Sequence, residues 1–223
     1  DKCSGTPGAR VTIYNCDFRG YWDSLSLLSC GRINKHWYGQ GISSSIARGA
    51  ENAGILFNNT SKCEISYCQV YDNIGSNIGY GILFQDSNEN IIERCNIYQN
   101  KIIGVYLKNS KKNLLFENTV HDQLSLGGQE GIYLHGSAKN VIVRNECYNN
   151  PVHGITLEYG SNNNYVAANK CFNNSNGGMR VRYNANGNIF IMNTSTGNIR
   201  TGFTSHSSID TLCAAEVFEN NTV

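Results

Sequence analysis

A glycine opens a short apolar segment seven times along the chain. These are Gly54, Gly81, Gly104, Gly131, Gly154, Gly178 and Gly202, spaced by 27, 23, 27, 23, 24 and 24 residues. The stretch from Gly131 to Asn150, GIYLHGSAKNVIVRNECYNN, is one whole unit. A period in the low twenties, built from short β-rich pieces, marks a solenoid. Other columns keep the same step. One reads Cys63, Asn90, Asn113, Asn140, Asn164, Asn188, Thr211, and an apolar one reads Ile65, Ile92, Leu115, Ile142, Val166, Phe190, Cys213. A third reads Cys68, Cys95, Asn118, Asn145, Asn169, Asn193, Glu216, and an amide column closes the unit with Asn73, Asn100, Gln123, Asn150, Asn174, Asn198, Asn221. Between the turns, apolar residues alternate with polar ones, so each piece is a strand with one buried face.

The pattern predicts an all-β, single-stranded parallel β-helix of about eight coils, each coil supplying about three short strands. Successive coils stack at about 4.8 Å, so like side chains lie on like. Asparagine at the corners fits both the left-handed backbone of tight turns and an amide-to-amide ladder. Proline would remove ladder donors, and the chain has two, Pro7 and Pro151. No segment holds a 3.6-residue apolar period, which excludes a helical solenoid. Residues 1–53 read as irregular N-terminal coils. There VTIYNCDF places Ile13, Cys16 and Phe18 in the core columns, Leu25 and Leu27 fit the glycine strand, and a long turn carries Trp37 and Tyr38. Residues 54–223 read as regular repeats, with two longer corners at 73–80 and 123–130, where a solenoid tends to bind. Further coils or an oligomer contact are expected beyond Val223.

A net charge of +1, from 18 basic and 17 acidic residues, offers no footprint for nucleic acid or an anionic membrane. No apolar run is long enough to insert in a bilayer. Most of the nine cysteines fall in core columns and read as buried thiols. Cys68 with Cys95, and Cys147 with Cys171, come close enough on neighbouring coils to bridge, so cysteine usage does not fix the compartment.

The residues between the apolar positions should point outward, and one wall is rich in chemistry. Before the glycines stand Tyr80, Glu130 and His153; inside the glycine strands stand Tyr106, Tyr133, Thr156 and Arg180; after them stand Lys108, His135, Glu158, Arg182 and His206. Across the adjoining corner lie Tyr71, Tyr98, His121, Tyr148 and Phe172. Read as a groove, the wall offers aromatic faces for sugar rings and cations for carboxylates, repeated along the axis of a linear polymer. A solvent-facing column of good strand formers has the same composition without any site. His135, Glu158 and His206 span non-adjacent coils and form no ligand motif, so no metal is assigned; calcium is compatible with the wall but no motif calls for it.

These units resemble the right-handed parallel β-helix repeat proteins, a superfamily that includes pectate-lyase-like enzymes, NosD-type proteins and alginate C5-epimerases. The segment Tyr148-Asn149-Asn150-Pro151-Val152-His153-Gly154 is similar to the YNNDRHG segment of the alginate epimerases. That resemblance implies catalytic roles for Tyr148 and His153. Pro151 and Val152 stand where the family has Asp and Arg, leaving Glu130 or Glu158 as spatial substitutes for the carboxylate.

The expected function is modification of a uronate-containing polysaccharide by a secreted or cell-surface lyase or C5-epimerase. In both reactions a cation neutralises the uronate carboxylate, a base takes the C5 proton and a donor completes the step. Arg180, Arg182 and Lys108 are the candidate cations, His153 or His135 the base, and Tyr148 or Tyr133 the donor. Tyr98, Tyr106, His121 and Glu158 complete the expected binding surface. A glycoside hydrolase would need two carboxyls, for which Glu130 and Glu158 qualify. A non-catalytic adhesin, fibre or carbohydrate-binding stalk needs none of these acids and bases.

Overall fold

The computed structural model describes residues 12–14, 16–19, 23–28, 41–76, 78–124, 130–206 and 217–223. Its strands form three parallel sheets that the chain visits in rotation, as a parallel β-helix requires. The glycine sheet has eight strands, among them Tyr80–Gln85, Val105–Lys108, Ile132–His135, His153–Glu158, Gly177–Arg182 and Thr201–His206. A nine-stranded sheet follows it, with Val141–Val143 as a typical member, and then an eight-stranded sheet containing Glu146–Tyr148. We call this last one the aromatic sheet. The early strands join the same sheets: Ile13 pairs with Ile42, and Leu25 with Ile55.

The register is the one the columns predict except in the last coil. There Phe190 pairs with Phe218 rather than Cys213, and Asn193 donates to Asn221, which the columns place after Asn198, because the chain between the last two coils is longer than the repeat assumes. Ile65, Ile92, Leu115, Ile142, Val166 and Phe190 are successive partners, all buried in a core that runs along the axis. Cys95, Cys147 and Cys171 are free thiols in that core, with Cys147 and Cys171 in register on adjacent coils. Cys16 keeps its column, since its backbone N–H donates to Ser45 as the equivalent N–H of Cys68 does to Cys95 Sγ, but it is exposed. Thr211, Cys213, Glu216, Trp37 and Tyr38 lie outside the described residues, as do Asn77 and 125–129 of the two longer corners.

The glycine column exists because two coils pass too close for a side chain. A Cβ on Gly131 would stand 2.7 Å from the Gly154 carbonyl oxygen and 2.9 Å from Asn150 Nδ2. One on Gly154 would meet the Gly178 carbonyl at 2.8 Å and Cys171 Sγ at 2.6 Å. Backbone cannot yield there, so only glycine fits.

The asparagine columns form the expected amide-to-amide ladder but do not make the left-handed turns. None of the ladder asparagines has a positive φ; the left-handed residue is the one before it, such as Lys112 (φ 57°), Lys139 (φ 58°), Glu117 (φ 53°) or Asn149 (φ 53°). The ladder asparagines point inward instead. Asn140 Oδ1 accepts from the backbone N–H of Asn113 at 2.9 Å and from its Nδ2 at 3.1 Å. Asn140 Nδ2 donates to Asn164 Oδ1 at 3.1 Å and to the Ser110 carbonyl at 3.1 Å. The amide thus uses both donors and both lone pairs at a corner where backbone groups would otherwise be buried unpaired.

Candidate functional site

The outer face of the glycine sheet carries a compact ionic cluster across three coils. Glu130 precedes the strand of one coil; His153, Thr156 and Glu158 lie on the next strand; Arg180 and Arg182 lie on the one after. Parallel pairing puts Tyr133 beside Thr156, Thr156 beside Arg180, and His135 beside Glu158. Arg180 Nη2 donates to Glu158 Oε1 at 2.7 Å and to Glu130 Oε1 at 3.1 Å, so one nitrogen joins two carboxylates from different coils. Arg182 Nε also donates to Glu158, and Tyr133 OH donates to Glu158 Oε2 at 3.0 Å. His153 Nδ1 stands 3.8 Å from Glu130 Oε1, beyond hydrogen-bond reach.

This wall is not the open column that alternation predicts. The Glu130, Glu158 and His153 side chains are each 3% exposed, against 13% for Arg180 and 29% for Arg182. Charges that neutralise one another across coils can pack down onto a sheet, whereas unpaired ones would remain in water. Among the described residues, three buried atoms in the cluster meet no hydrogen-bond partner: His153 Nδ1, Thr156 Oγ1 and Arg180 Nε. Gly177 gives the imidazole its room, since a Cβ there would lie 3.0 Å from His153 Cδ2.

Burial lowers the pKa of His153, opposed by Glu130 and reinforced by Arg180, so the ring is neutral at neutral pH. Burial and the nearby Lys108 lower that of His135, whose Nδ1 is 3.5 Å from Tyr133 OH. Burial and Glu158 push the Tyr133 phenol far up, and burial with Tyr80 and Glu158 lifts Tyr106 to about 12. Both phenols therefore stay protonated. Tyr106 is half-buried and stacks on Tyr133 at 5.2 Å, while Lys108 is exposed in register with His135.

The second group of expected residues lies elsewhere. Tyr98, His121 and Tyr148 belong to the aromatic sheet, where Tyr71, Tyr98, His121, Tyr148 and Phe172 form one stack with centroid spacings of 4.7 to 5.3 Å and interplanar angles of 7° to 12°. Their faces are occupied by one another rather than offered to sugar rings. His121 Nδ1 is 2.6 Å from Asp122 and Nε2 is 3.0 Å from Asn96, so both nitrogens are engaged. Tyr148 closes a strand ahead of the corner at Asn149 and Asn150, while His153 opens a strand of the next sheet. The stack holds Tyr148 between His121 and Phe172 and away from the ionic cluster. Among the described residues no group of three His, Cys, Asp or Glu side chains is placed to hold a metal, and the His206 side chain lies outside them.

Two further tyrosines were not among the sequence candidates. Tyr159 and Tyr183 follow Glu158 and Arg182 directly and stack with His135, at 4.6 Å from His135 to Tyr159 and 4.8 Å from Tyr159 to Tyr183.

Several solved structures share this architecture. The chain is similar to the periplasmic alginate epimerase AlgG, with a TM-score of 0.78 and 18% identity, over 95% of this chain and 51% of that one. It is similar to an alginate lyase from Paenibacillus sp. str. FPU-7, with a TM-score of 0.61 and 16% identity, over 98% of this chain and 84% of that one. The Dettilon tailspike protein matches with a TM-score of 0.60 and 17% identity, over 84% of this chain and 44% of that one. This chain thus spans about half the length of the epimerase, and at such identities the likeness is one of fold. Comparison with curated protein sequences gave no match. The family model described as right handed beta helix region matches residues 3–122 and 32–195, which together cover most of the sequence, and the chain belongs to that family.

Proposed function

We propose that the protein acts outside the cytoplasm on a uronate-containing polysaccharide, removing the C5 proton of a sugar as a lyase or a C5-epimerase does. The observation that carries this reading is the buried cluster with three unpartnered polar atoms, one each on His153, Thr156 and Arg180. Buried polar atoms are rarely left unpaired, and a sugar hydroxyl or carboxylate reaching the cluster would satisfy them. The likeness in fold to an alginate epimerase and an alginate lyase favours the same substrate class.

In this mechanism the uronate carboxylate takes over part of Arg180, whose guanidinium in the free protein is held by Glu130 and Glu158. Neutralising that carboxylate makes the adjacent C5–H bond more acidic. The neutral His153 imidazole accepts the proton, and the electron pair moves into the carboxylate as an enolate. Tyr133, kept protonated by its surroundings, then donates, the choice between the two expected donors falling on it because Tyr148 lies on another sheet. Protonation of C5 from the opposite face gives the epimer; expulsion of the C4 oxygen with its proton gives the unsaturated lyase product. A hydrolase needs two carboxyls free to meet the glycosidic bond, and both carboxyls here are engaged by guanidinium groups.

The test is incubation with alginate and polygalacturonate in D₂O. Deuterium at C5 with chain length retained identifies an epimerase, and an unsaturated product a lyase. His153→Ala should abolish either signal while leaving polymer binding largely intact. Binding without exchange or cleavage would replace the enzymatic reading with a carbohydrate-binding one, and no binding would defeat both.

A further inference from the structure

The corner that follows the glycine strand changes in two adjacent coils. In three earlier coils one residue separates the strand from the buried serine of the corner: Asp86 between Gln85 and Ser87, Asn109 between Lys108 and Ser110, Gly136 between His135 and Ser137. In the next two coils the corner is one residue longer. Tyr159 and Gly160 separate Glu158 from Ser161, and Tyr183 and Asn184 separate Arg182 from Ala185. Ser137 N–H still donates to Ser161 Oγ at 3.1 Å, so the extra residue is taken up outside the core. Local insertions of this kind re-aim side chains at the edge of a sheet.

The first left-handed position at this corner holds Asn59, Asp86, Asn109 and Gly136 in the earlier coils, and then Tyr159 (φ 51°) and Tyr183 (φ 54°). Asn, Asp and Gly tolerate that conformation best, and a bulky aromatic is disfavoured there. Other corners of this protein hold long side chains at such positions, so the backbone alone does not mark a site. What singles out these tyrosines is their position. Both adjoin the ionic cluster directly in sequence, Tyr159 is 49% exposed, and neither hydroxyl meets a protein partner among the described residues. Arg182 Cζ lies 4.3 Å from the Tyr183 ring centroid, which ties the row to Glu158 through the same guanidinium.

We infer that Tyr159 and Tyr183, with His135 and Arg182, form a saccharide subsite flanking the cluster, which binds a further unit of the same acidic chain through the phenol hydroxyls. The inference rests on the function proposed above. Ring faces in this row are used in stacking, so the contact is made by polar edges, as hydrogen bonds to sugar hydroxyls or carboxylate. Because the rings repeat coil by coil, the row follows the helix axis, the direction in which an extended polymer would lie.

The double variant Tyr159→Phe/Tyr183→Phe keeps both rings and their stacking and removes only the hydroxyls. Calorimetric titration would compare disaccharides and hexasaccharides of alginate and of polygalacturonate on the native and variant proteins. We expect the native protein to bind the hexasaccharide more tightly than the disaccharide, and the variant to lose about ten-fold for the hexasaccharide, the loss of roughly one or two net hydrogen bonds. Unchanged hexasaccharide affinity in the variant would refute the subsite and leave the catalytic proposal standing. Failure of the native protein to bind any of these oligosaccharides would remove the functional reading and the subsite with it. The variant's circular dichroism and melting temperature should match the native protein, so a loss of affinity accompanied by unfolding would count against the inference until Tyr159→Asn, a residue this corner already accepts at Asn59 and Asn109, gave the same loss in a folded protein.

Discussion

Arg180 is the residue on which the buried cluster depends most, and replacing it with methionine tests that dependence. Methionine keeps an unbranched stem and removes the guanidinium. Glu158 would retain Arg182 and the Tyr133 hydroxyl, but Glu130 would retain, among the described residues, only His153 at 3.8 Å. The penalty is therefore that of one carboxylate, 3% exposed, losing its cation. Stranding one member of a buried pair costs about 3–5 kcal/mol. For a chain of 223 residues, in which each kcal/mol moves the melting temperature by about 2–4 °C, the expected fall is roughly 6–20 °C. Neutralising the stranded partner should reverse part of it. Glu130→Gln/Arg180→Met should be more stable than Arg180→Met alone, because the buried charge has gone with the cation. Urea unfolding followed by circular dichroism would measure all of these variants. An Arg180→Met variant within about 1 kcal/mol of the native protein, the range of a surface pair, would refute the reasoning, as would a double variant no better than the single.

Two other outcomes follow from the same geometry. Tyr148→Ala should destabilise the protein by about 1–3 kcal/mol, because the ring stacks on both His121 and Phe172, and an unchanged urea midpoint would mean that it stands free. His153 has a folded-state pKa below the ordinary 6.5, so the unfolded chain takes up the proton first; stability should be level above about pH 6.5 and fall below it, and His153→Gln should flatten that decline between pH 7.5 and 5.5, whereas equal slopes would count against a buried neutral imidazole.

The fold is legible in the sequence because a parallel β-helix writes each structural position as a column. Ile142, Val166 and Phe190 could be assigned to one core row from spacing alone, and they are partners. Periodicity located Asn140, Asn164 and Asn188 and the amide ladder they form, but not which residue makes the turn. A corner asparagine and a left-handed residue lie next to each other in every unit, and only the backbone angles separate Lys139, which makes the turn, from Asn140, whose amide satisfies the corner from within. The same limit explains Tyr148. Four residues separate it from His153, and the inward turn at Asn150 sends the two onto different sheets.

The candidate site was legible as membership of a wall and illegible as chemistry. Glu130, His153, Glu158, Arg180 and Arg182 all fell in outward columns, and alternation correctly kept them off the core. Alternation has no term for pairing between coils, and pairing is what buries them: Arg180 reaches back 50 residues to Glu130, a link between coils that are not sequence neighbours. An outward position in the sequence pattern is therefore not an exposed one in the structure. The opposite holds for Tyr159 and Tyr183, whose signal was present in the spacing. The glycine steps after Gly154 are 24 rather than 23 residues, and the additional residue falls at the corner beside Glu158 and Arg182. A one-residue lengthening that recurs in adjacent coils, and brings the same aromatic residue each time, conserves a position along the axis. In a solenoid that repetition is how a surface is matched to a ligand that itself repeats.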